Sequence, residues 1–278
     1  MEKIAVFGKG GIGKSTICVG LSVVYALQGR KVLHVGCDPK HDSTIGLLQG
    51  AEMPTFMEKM VKGSFAEPGN PPSADDLCQR GWLGIDCMEA GGPDPGVGCA
   101  GRGISLMLET FEEARLLEKK EYDVCMFDVL GDVVCGGFAA PLRRGFAEKI
   151  LIVVSEEMMS LYAANNIAKA VRNCSSNGVF LAGLVVNARS GDCSLERLER
   201  FAKTLNTRIL AVIPRDPLVV EAEFNGETSI VESHPAGGFS LGVRSLAQAL
   251  LDARRQSCPT PTPLDDKSFY RQWRRRPS

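Results

Sequence analysis

A glycine-rich turn that carries a lysine, set between an apolar strand and a helix, constrains this chain more than any other feature. Gly8 to Thr16 reads GKGGIGKST and satisfies G-x-x-x-x-G-K-[ST]. The short apolar run Lys3 to Phe7 precedes it, and a helical pattern from Ser15 to Gln28, ended by Gly29, follows. At such a turn Gly8, Gly10, Gly11 and Gly13 let backbone N–H groups face a polyphosphate. Lys14 is placed to neutralise the β and γ oxygens, and the Ser15 hydroxyl, followed by Thr16, to ligate Mg²⁺. Gly8, Gly10 and Gly13 also spell G-x-G-x-x-G, with Asp38 where a ribose-binding acid would stand, so a dinucleotide reading remains beside the first. The Lys14-Ser15-Thr16 run favours a nucleoside triphosphate, because the pyrophosphate of a dinucleotide needs no lysine and Mg²⁺ pair.

Further strands are expected at Lys31–Val35, Tyr122–Phe127, Lys149–Val154, Phe180–Val186 and Arg208–Ile213, with helical patterns in most gaps. This alternation predicts an α/β fold, a doubly wound, mostly parallel sheet with ligands at the carboxyl ends of its strands. A single domain is expected over residues 1–256, closed by a helix from Leu241 to Arg255, and residues 257–278 read as an extended Pro/Arg-rich tail. Glu67–Ser73 and Glu89–Gly103 read as surface loops. With 32 Lys+Arg against 33 Asp+Glu, the net charge of −1 supplies no global field for nucleic acid or an anionic membrane, and neither is expected as a partner. The longest aliphatic run, Ile150 to Val154, is far below the roughly 20 residues of a membrane span, and no signal-peptide pattern is present, so a cytoplasmic protein is expected. In that setting ten cysteines argue for packing, metal binding or reactivity rather than disulfides.

Acids cluster where strands end. Asp128 closes the Tyr122–Phe127 strand, where a carboxylate can hold the hydration shell of Mg²⁺, and Asp132 follows Gly131, which lets the peptide swing when a γ-phosphate leaves. The second strand ends in GCDPKHDST, which brings Asp38, Lys40 and Asp42 to the same edge; Asp38 is the first choice to orient an attacking water and Asp42 to contact Mg²⁺. Cys99, in GVGCAGRG, and Cys135, in VVCGGF, have the glycine flanks that let backbone approach the sulfurs of an iron–sulfur cluster. A cubane needs four thiolates, which a two-fold dimer would supply by using both cysteines twice. Spacing leaves buried thiols, and an intrachain site adding Cys78 or Cys87, as alternatives. The loop lysine Lys9 resembles that of the deviant phosphate-loop ATPases, in which it reaches the phosphates of a facing subunit in an ATP-sandwiched dimer.

Taken together, GKGGIGKST, GCDPKHDST, EAGGPDPGVGCAGRG, DVLGDVVCGGFAAPLR and SLYAANNI resemble the nitrogenase iron protein family over roughly residues 1 to 255. The resemblance implies a homodimer with one bridging [4Fe–4S] cluster that couples MgATP hydrolysis to one-electron transfer into a catalytic, nitrogenase-like metalloprotein. A low-potential ferredoxin or flavodoxin would be its reductant. Carried over by position, it makes Cys99 and Cys135 the cluster ligands and Lys9, Lys14, Ser15, Asp38, Asp42, Asp128 and Asp132 the nucleotide and switch residues. It makes Asn187, Pro214, Arg215 and Asp216 the residues that hold adenine, and Arg102 a docking arginine beside the cluster. Lys40-His41-Asp42 is similar to the tetrapyrrole-reductase branch, whereas GPDPGVGCAGRG and LYAANNI are similar to the nitrogenase and cyclase branches. SEEMM at Ser155–Met159 and the arginine-rich end depart from a standard nitrogenase iron protein. The expectation leans to a non-dinitrogen system such as methylthio-alkane reductase. A true nitrogenase iron protein and a tetrapyrrole-reductase ATPase subunit are the alternatives within the family, and a partition-type ATPase without redox chemistry is the rival outside it.

Overall fold

Successive side chains of the central strands enter two different cores. Ala5, Phe7, Cys125 and Phe127 belong to one buried cluster, and Ile4, Val6, Val124 and Met126 to the other. A sheet buried on both faces needs near-continuous apolar strands, which is what the sequence provides.

The computed structural model describes residues 1–61, 72–92, 100–131, 139–143, 145–190 and 193–273. The first half of the chain runs β1 (Glu2–Phe7), α1 (Lys14–Leu27), β2 (Val32–Cys37), α2 (Phe56–Val61), α3 (Ala74–Leu77), β3 (Gln79–Arg80), β4 (Asp86–Glu89), α4 (Ala100–Ala114), α5 (Leu116–Lys119) and β5 (Val124–Val129). The second runs β6 (Lys149–Val154), α6 (Met158–Asn173), β7 (Phe180–Asn187), α7 (Leu195–Thr204), β8 (Ile209–Ile213), α8 (Pro217–Phe224), α9 (Ile230–Ser233), α10 (Gly238–Asp252) and α11 (Asp266–Trp273). Among the described residues the eight strands form one sheet in the order β3-β4-β2-β5-β1-β6-β7-β8, parallel except for the β3–β4 pair. Helices α1 and α10 cover one face, α4, α6 and α7 the other. The molecule is thus the expected doubly wound α/β sheet, with β1 between β5 and β6 and the ends of β1, β2 and β5 gathered at one edge. Among the described residues no helix is long and apolar enough to cross a membrane.

Two internal stretches differ from the sequence reading. β3 and β4 were not foreseen, because DCME is short and two of its four residues are acids; pairing of Leu33–Gly36 with Asp86–Glu89 supplies the extended conformation that local pattern does not signal. The expected surface loop at Glu89–Gly103 begins inside the fold, with Glu89 and Ala90 buried, and from Ala100 it is already helix α4; residues 93–99 lie outside the described residues. Of the expected loop at Glu67–Ser73, residues 67–71 lie outside them too.

Up to Trp273, the segment beyond Ser257 is not an extended tail. Phe269 is fully buried in the core cluster, and its ring meets that of Tyr162 edge-on at 5.2 Å. Trp273 packs on Phe201 at 5.5 Å, with the Arg200 guanidinium over its indole at 4.8 Å. Asn165 fastens the connection to α11, donating from Nδ2 to the Leu264 carbonyl at 2.9 Å and accepting from its N–H at 2.8 Å. The prolines and arginines of this stretch mask a short amphipathic signal, Phe269 and Trp273 at i and i+4. Phe269→Ala should lower unfolding free energy by about 3–5 kcal/mol, read from the denaturant midpoint. An unchanged midpoint would mean that α11 contributes nothing to the core.

Candidate functional site

The phosphate loop leads straight into α1, so the free N–H groups and positive dipole end of a 14-residue helix point at whatever the loop encloses. Gly13 immediately precedes the helix at φ 91°, in the left-handed region, and a Cβ there would lie 2.5 Å from Asn187 Nδ2. That amide donates to the Ile12 carbonyl at 2.8 Å and ties the end of β7 to the loop. The Lys14 side chain is buried, whereas Gly10 and Gly11 are exposed along the open side. Lys9 pairs with Glu157 at 3.3 Å in its own subunit. An ion pair this exposed is worth about 0–1 kcal/mol and is readily exchanged for another partner.

Asp128 marks the other wall. It is 4% exposed at the end of β5; its Oδ2 accepts from Ser43 Oγ at 2.6 Å, and its Oδ1 has no hydrogen-bond partner among the described residues. Beside it lies the Cys18 thiol, pushed well up by burial and by this carboxylate, and only a weak donor. A buried carboxylate oxygen without a partner is costly, and a hydrated Mg²⁺ next to the loop would satisfy it, so the residues present fit the metal. A cavity of about 390 Å³ brings Ser15 and Thr16 together with Asp42 and Ser43. Asp38 is partly buried, accepts from the Lys40 N–H at 2.9 Å, and is raised above the ordinary carboxylate range by burial. Lys40 and Asp42 are exposed. Beyond β5, Gly131 touches the phosphate loop, since a Cβ on it would lie 2.4 Å from Gly10 N.

The remaining expected residues are distributed as follows. Asp216 caps α8, accepting from the Leu218 N–H at 3.2 Å, and also accepts from Phe239 N–H at 3.3 Å; Arg215 donates to the Arg189 carbonyl at 3.3 Å, and Pro214 is exposed. Arg102 is exposed in the first turn of α4. Cys99, Asp132 and Cys135 lie outside the described residues. Among the described residues no group of three or more His, Cys, Asp or Glu side chains could hold a metal ion. Burial raises the thiols of Cys37, Cys87 and Cys125, and that of Cys78 to about 12, as expected for packing cysteines.

Sequence reading missed Glu89. It is 1% exposed at the end of β4, accepts the Thr44 N–H at 2.7 Å through Oε1, and leaves Oε2 without a hydrogen-bond partner among the described residues. Gly36 makes room for it, because a Cβ there would lie 1.8 Å from Oε2. The signal was a glycine next to the last residue of β2, facing an acid on a strand that local pattern did not reveal.

A doubly wound sheet with this loop and this buried acid defines a phosphate-loop ATPase. Consistent with the class, the cell division ATPase MinD of Pyrococcus furiosus superposes with a TM-score of 0.70 at 22% identity, over 91% of this chain and 100% of that one. That likeness concerns the fold alone. A sequence profile described as "4Fe-4S iron sulfur cluster binding proteins, NifH/frxC family" matches residues 2–270. A nitrogenase iron protein of Methanospirillum hungatei JF-1 is 42% identical over 270 residues, 96% of this chain and 93% of that protein. Nitrogenase iron protein 2 of Methanothermococcus thermolithotrophicus is 39% identical over 269 residues, 94% and 92% of the two chains. The chain belongs to the NifH/frxC family of [4Fe–4S] proteins. Membership brings the family's cofactors, a [4Fe–4S] cluster and MgATP, and its general activity, ATP-dependent electron donation.

Burial pushes Glu89 up to about 8, against the pull of the Thr44 hydroxyl and N–H and with the help of Asp128 and Asp42. The folded chain therefore holds this proton to higher pH than the unfolded chain, so stability falls as pH rises from the ordinary glutamate value towards about 8. Glu89→Gln should remove that slope, gaining on the parent by up to about 1.4 kcal/mol per pH unit in this window. Parallel stability–pH curves for the two proteins would contradict the assignment.

Proposed function

We propose that this chain is the ATP-driven iron protein of a nitrogenase-like reductase, a homodimer that passes single electrons to a catalytic metalloprotein. The observation that carries the reading is the contact between Gly131 and the phosphate loop, because Asp132 follows at once in sequence and Cys135 three residues later. A segment that begins on the nucleotide and continues to a cluster ligand can transmit nucleotide state to the redox site.

In this reading the N–H groups around Gly8, Gly10, Gly11 and Gly13 cradle the phosphates, Lys14 neutralises them, and Ser15 and Thr16 open the helix at the metal. Asp128 and Asp42 hold water around Mg²⁺, Asp38 orients the attacking water with Lys40 beside it, and Asp132 answers to the γ-phosphate. Lys9 exchanges Glu157 for the phosphates of the facing subunit. Asn187, Pro214, Arg215 and Asp216 flank the base, and Arg102 meets the partner. Cys99 and Cys135 of both subunits supply four thiolates, and the cluster they hold supplies a one-electron couple. A low-potential ferredoxin or flavodoxin of the cytoplasm delivers the electron.

The partner's substrate is proposed to be other than dinitrogen, as in methylthio-alkane reductase. Support comes from the mixed branch features and from Glu157, part of the unusual SEEMM run, which engages Lys9. A second reading, dinitrogen reduction, is supported by the names of the two relatives. Acetylene reduction with a purified nitrogenase catalytic component would decide for the second.

Protein purified without oxygen should contain about four irons per dimer, with a dithionite-reduced electron paramagnetic resonance signal altered by MgATP. Lys14→Gln should abolish the nucleotide response at normal iron content, and Cys135→Ser should abolish the cluster. Iron-free protein after attempted reconstitution, or full iron in Cys135→Ser, would overturn the reading.

A further inference from the structure

A buried relay of side chains runs from α1 to Asp128 through a histidine that phosphate-loop chemistry does not call for. Ser22 Oγ lies 2.9 Å from His34 Nδ1, His34 Nε2 lies 2.9 Å from Ser43 Oγ, and Ser43 Oγ donates to Asp128 Oδ2 at 2.6 Å. Ser22 and His34 are fully buried, Ser43 and Asp128 nearly so. The four residues come from α1, β2, the segment after β2, and β5.

Proton inventory allows this relay one direction. A hydroxyl has one hydrogen, and Ser43 gives its own to Asp128, so towards His34 it can only accept. His34 must then carry its hydrogen on Nε2 and leave Nδ1 bare. Nδ1 in turn can only accept, which turns the Ser22 O–H towards it. Burial keeps the ring neutral, pushing it down to about 4 although Asp128 pulls upwards. Each donor has one acceptor, and the series ends on the carboxylate whose other oxygen has no hydrogen-bond partner among the described residues. If Ser43 leaves, a buried Nε2–H loses its acceptor and Asp128 loses its hydroxyl donor, with only the weak Cys18 thiol beside it.

We infer that His34 is a positioning residue for the magnesium site: through Ser43 it fixes the rotamer of Asp128 and ties the 38–44 segment to the metal. The inference rests on the assignment of Asp128 to the magnesium shell.

The test is Mn²⁺ binding to the full-length holoprotein saturated with ADP, in place of Mg²⁺, read from the signal of free Mn²⁺. His34→Leu should weaken Mn²⁺ about tenfold, while His34→Gln, whose amide N–H can replace Nε2–H, stays within about threefold of the parent. ADP affinity without metal should be the same in all three. Asp128→Asn separates the two claims. If it leaves Mn²⁺ affinity unchanged, the magnesium assignment fails; if it weakens Mn²⁺ and His34→Leu does not, the inference about His34 fails. Nitrogen-15 histidine spectra of the unaltered protein give a readout independent of any variant's folding. The chain has three histidines, and that of β2 should be neutral with its proton on Nε2 and shift when Mg²⁺ joins bound ADP. An Nδ1–H tautomer, or a resonance indifferent to Mg²⁺, would overturn the inference.

Discussion

Asp128 is held at the end of a central strand with one carboxylate oxygen bonded to Ser43 and the other without a hydrogen-bond partner among the described residues. Such an arrangement is unfavourable in an empty protein and favourable beside a hydrated cation, so the carboxyl edge of the sheet is organised for a ligand. The phosphate loop lies across from it, Gly131 leaves it directly against that loop, and the 38–44 segment closes on it through Ser43. The phosphate loop, the buried Asp128 and Gly131, from which the chain runs on in sequence to Cys135, therefore meet at one place, where the proposed function puts nucleotide and metal.

The rest of the fold keeps that point rigid while leaving its surroundings movable. Two apolar cores clamp β1, β2, β5 and β6 from both faces. The 38–44 segment, by contrast, is anchored at its far end, by Ser43 and by the Thr44 N–H on Glu89, with Lys40, His41 and Asp42 exposed. Lys9 is held by an exposed ion pair with Glu157. Strong burial in the frame and weak, exchangeable contacts at the switch are what a nucleotide-driven change requires.

The phosphate loop and six of the strands were legible in the sequence because each is a local signal: a run of glycines with a lysine, or an apolar run bounded by polar residues. β3 and β4 were not, since their conformation comes from pairing and not from pattern. Helix α11 was hidden because two aromatic anchors stand among prolines and charges. Asp38, Asp42 and Asp128 could be placed at a strand edge from sequence, but Glu89 and His34 could not. Glu89 sits on an unforeseen strand, and a histidine inside an apolar strand looks like core until Ser22 and Ser43, twelve residues before it and nine after, are seen to meet its two nitrogens. Cys99 and Cys135 owe their assignment to family membership and glycine flanks.

The most direct test of the coupling is backbone hydrogen exchange of the holoprotein homodimer when MgADP is replaced by MgATP. Protection should change together in residues 38–44, including the Thr44 amide, and in residues 131–135, while the amides of β1 and β6 remain as they were. A change in the 38–44 segment with no change in 131–135 would contradict a mechanical link between nucleotide and cluster.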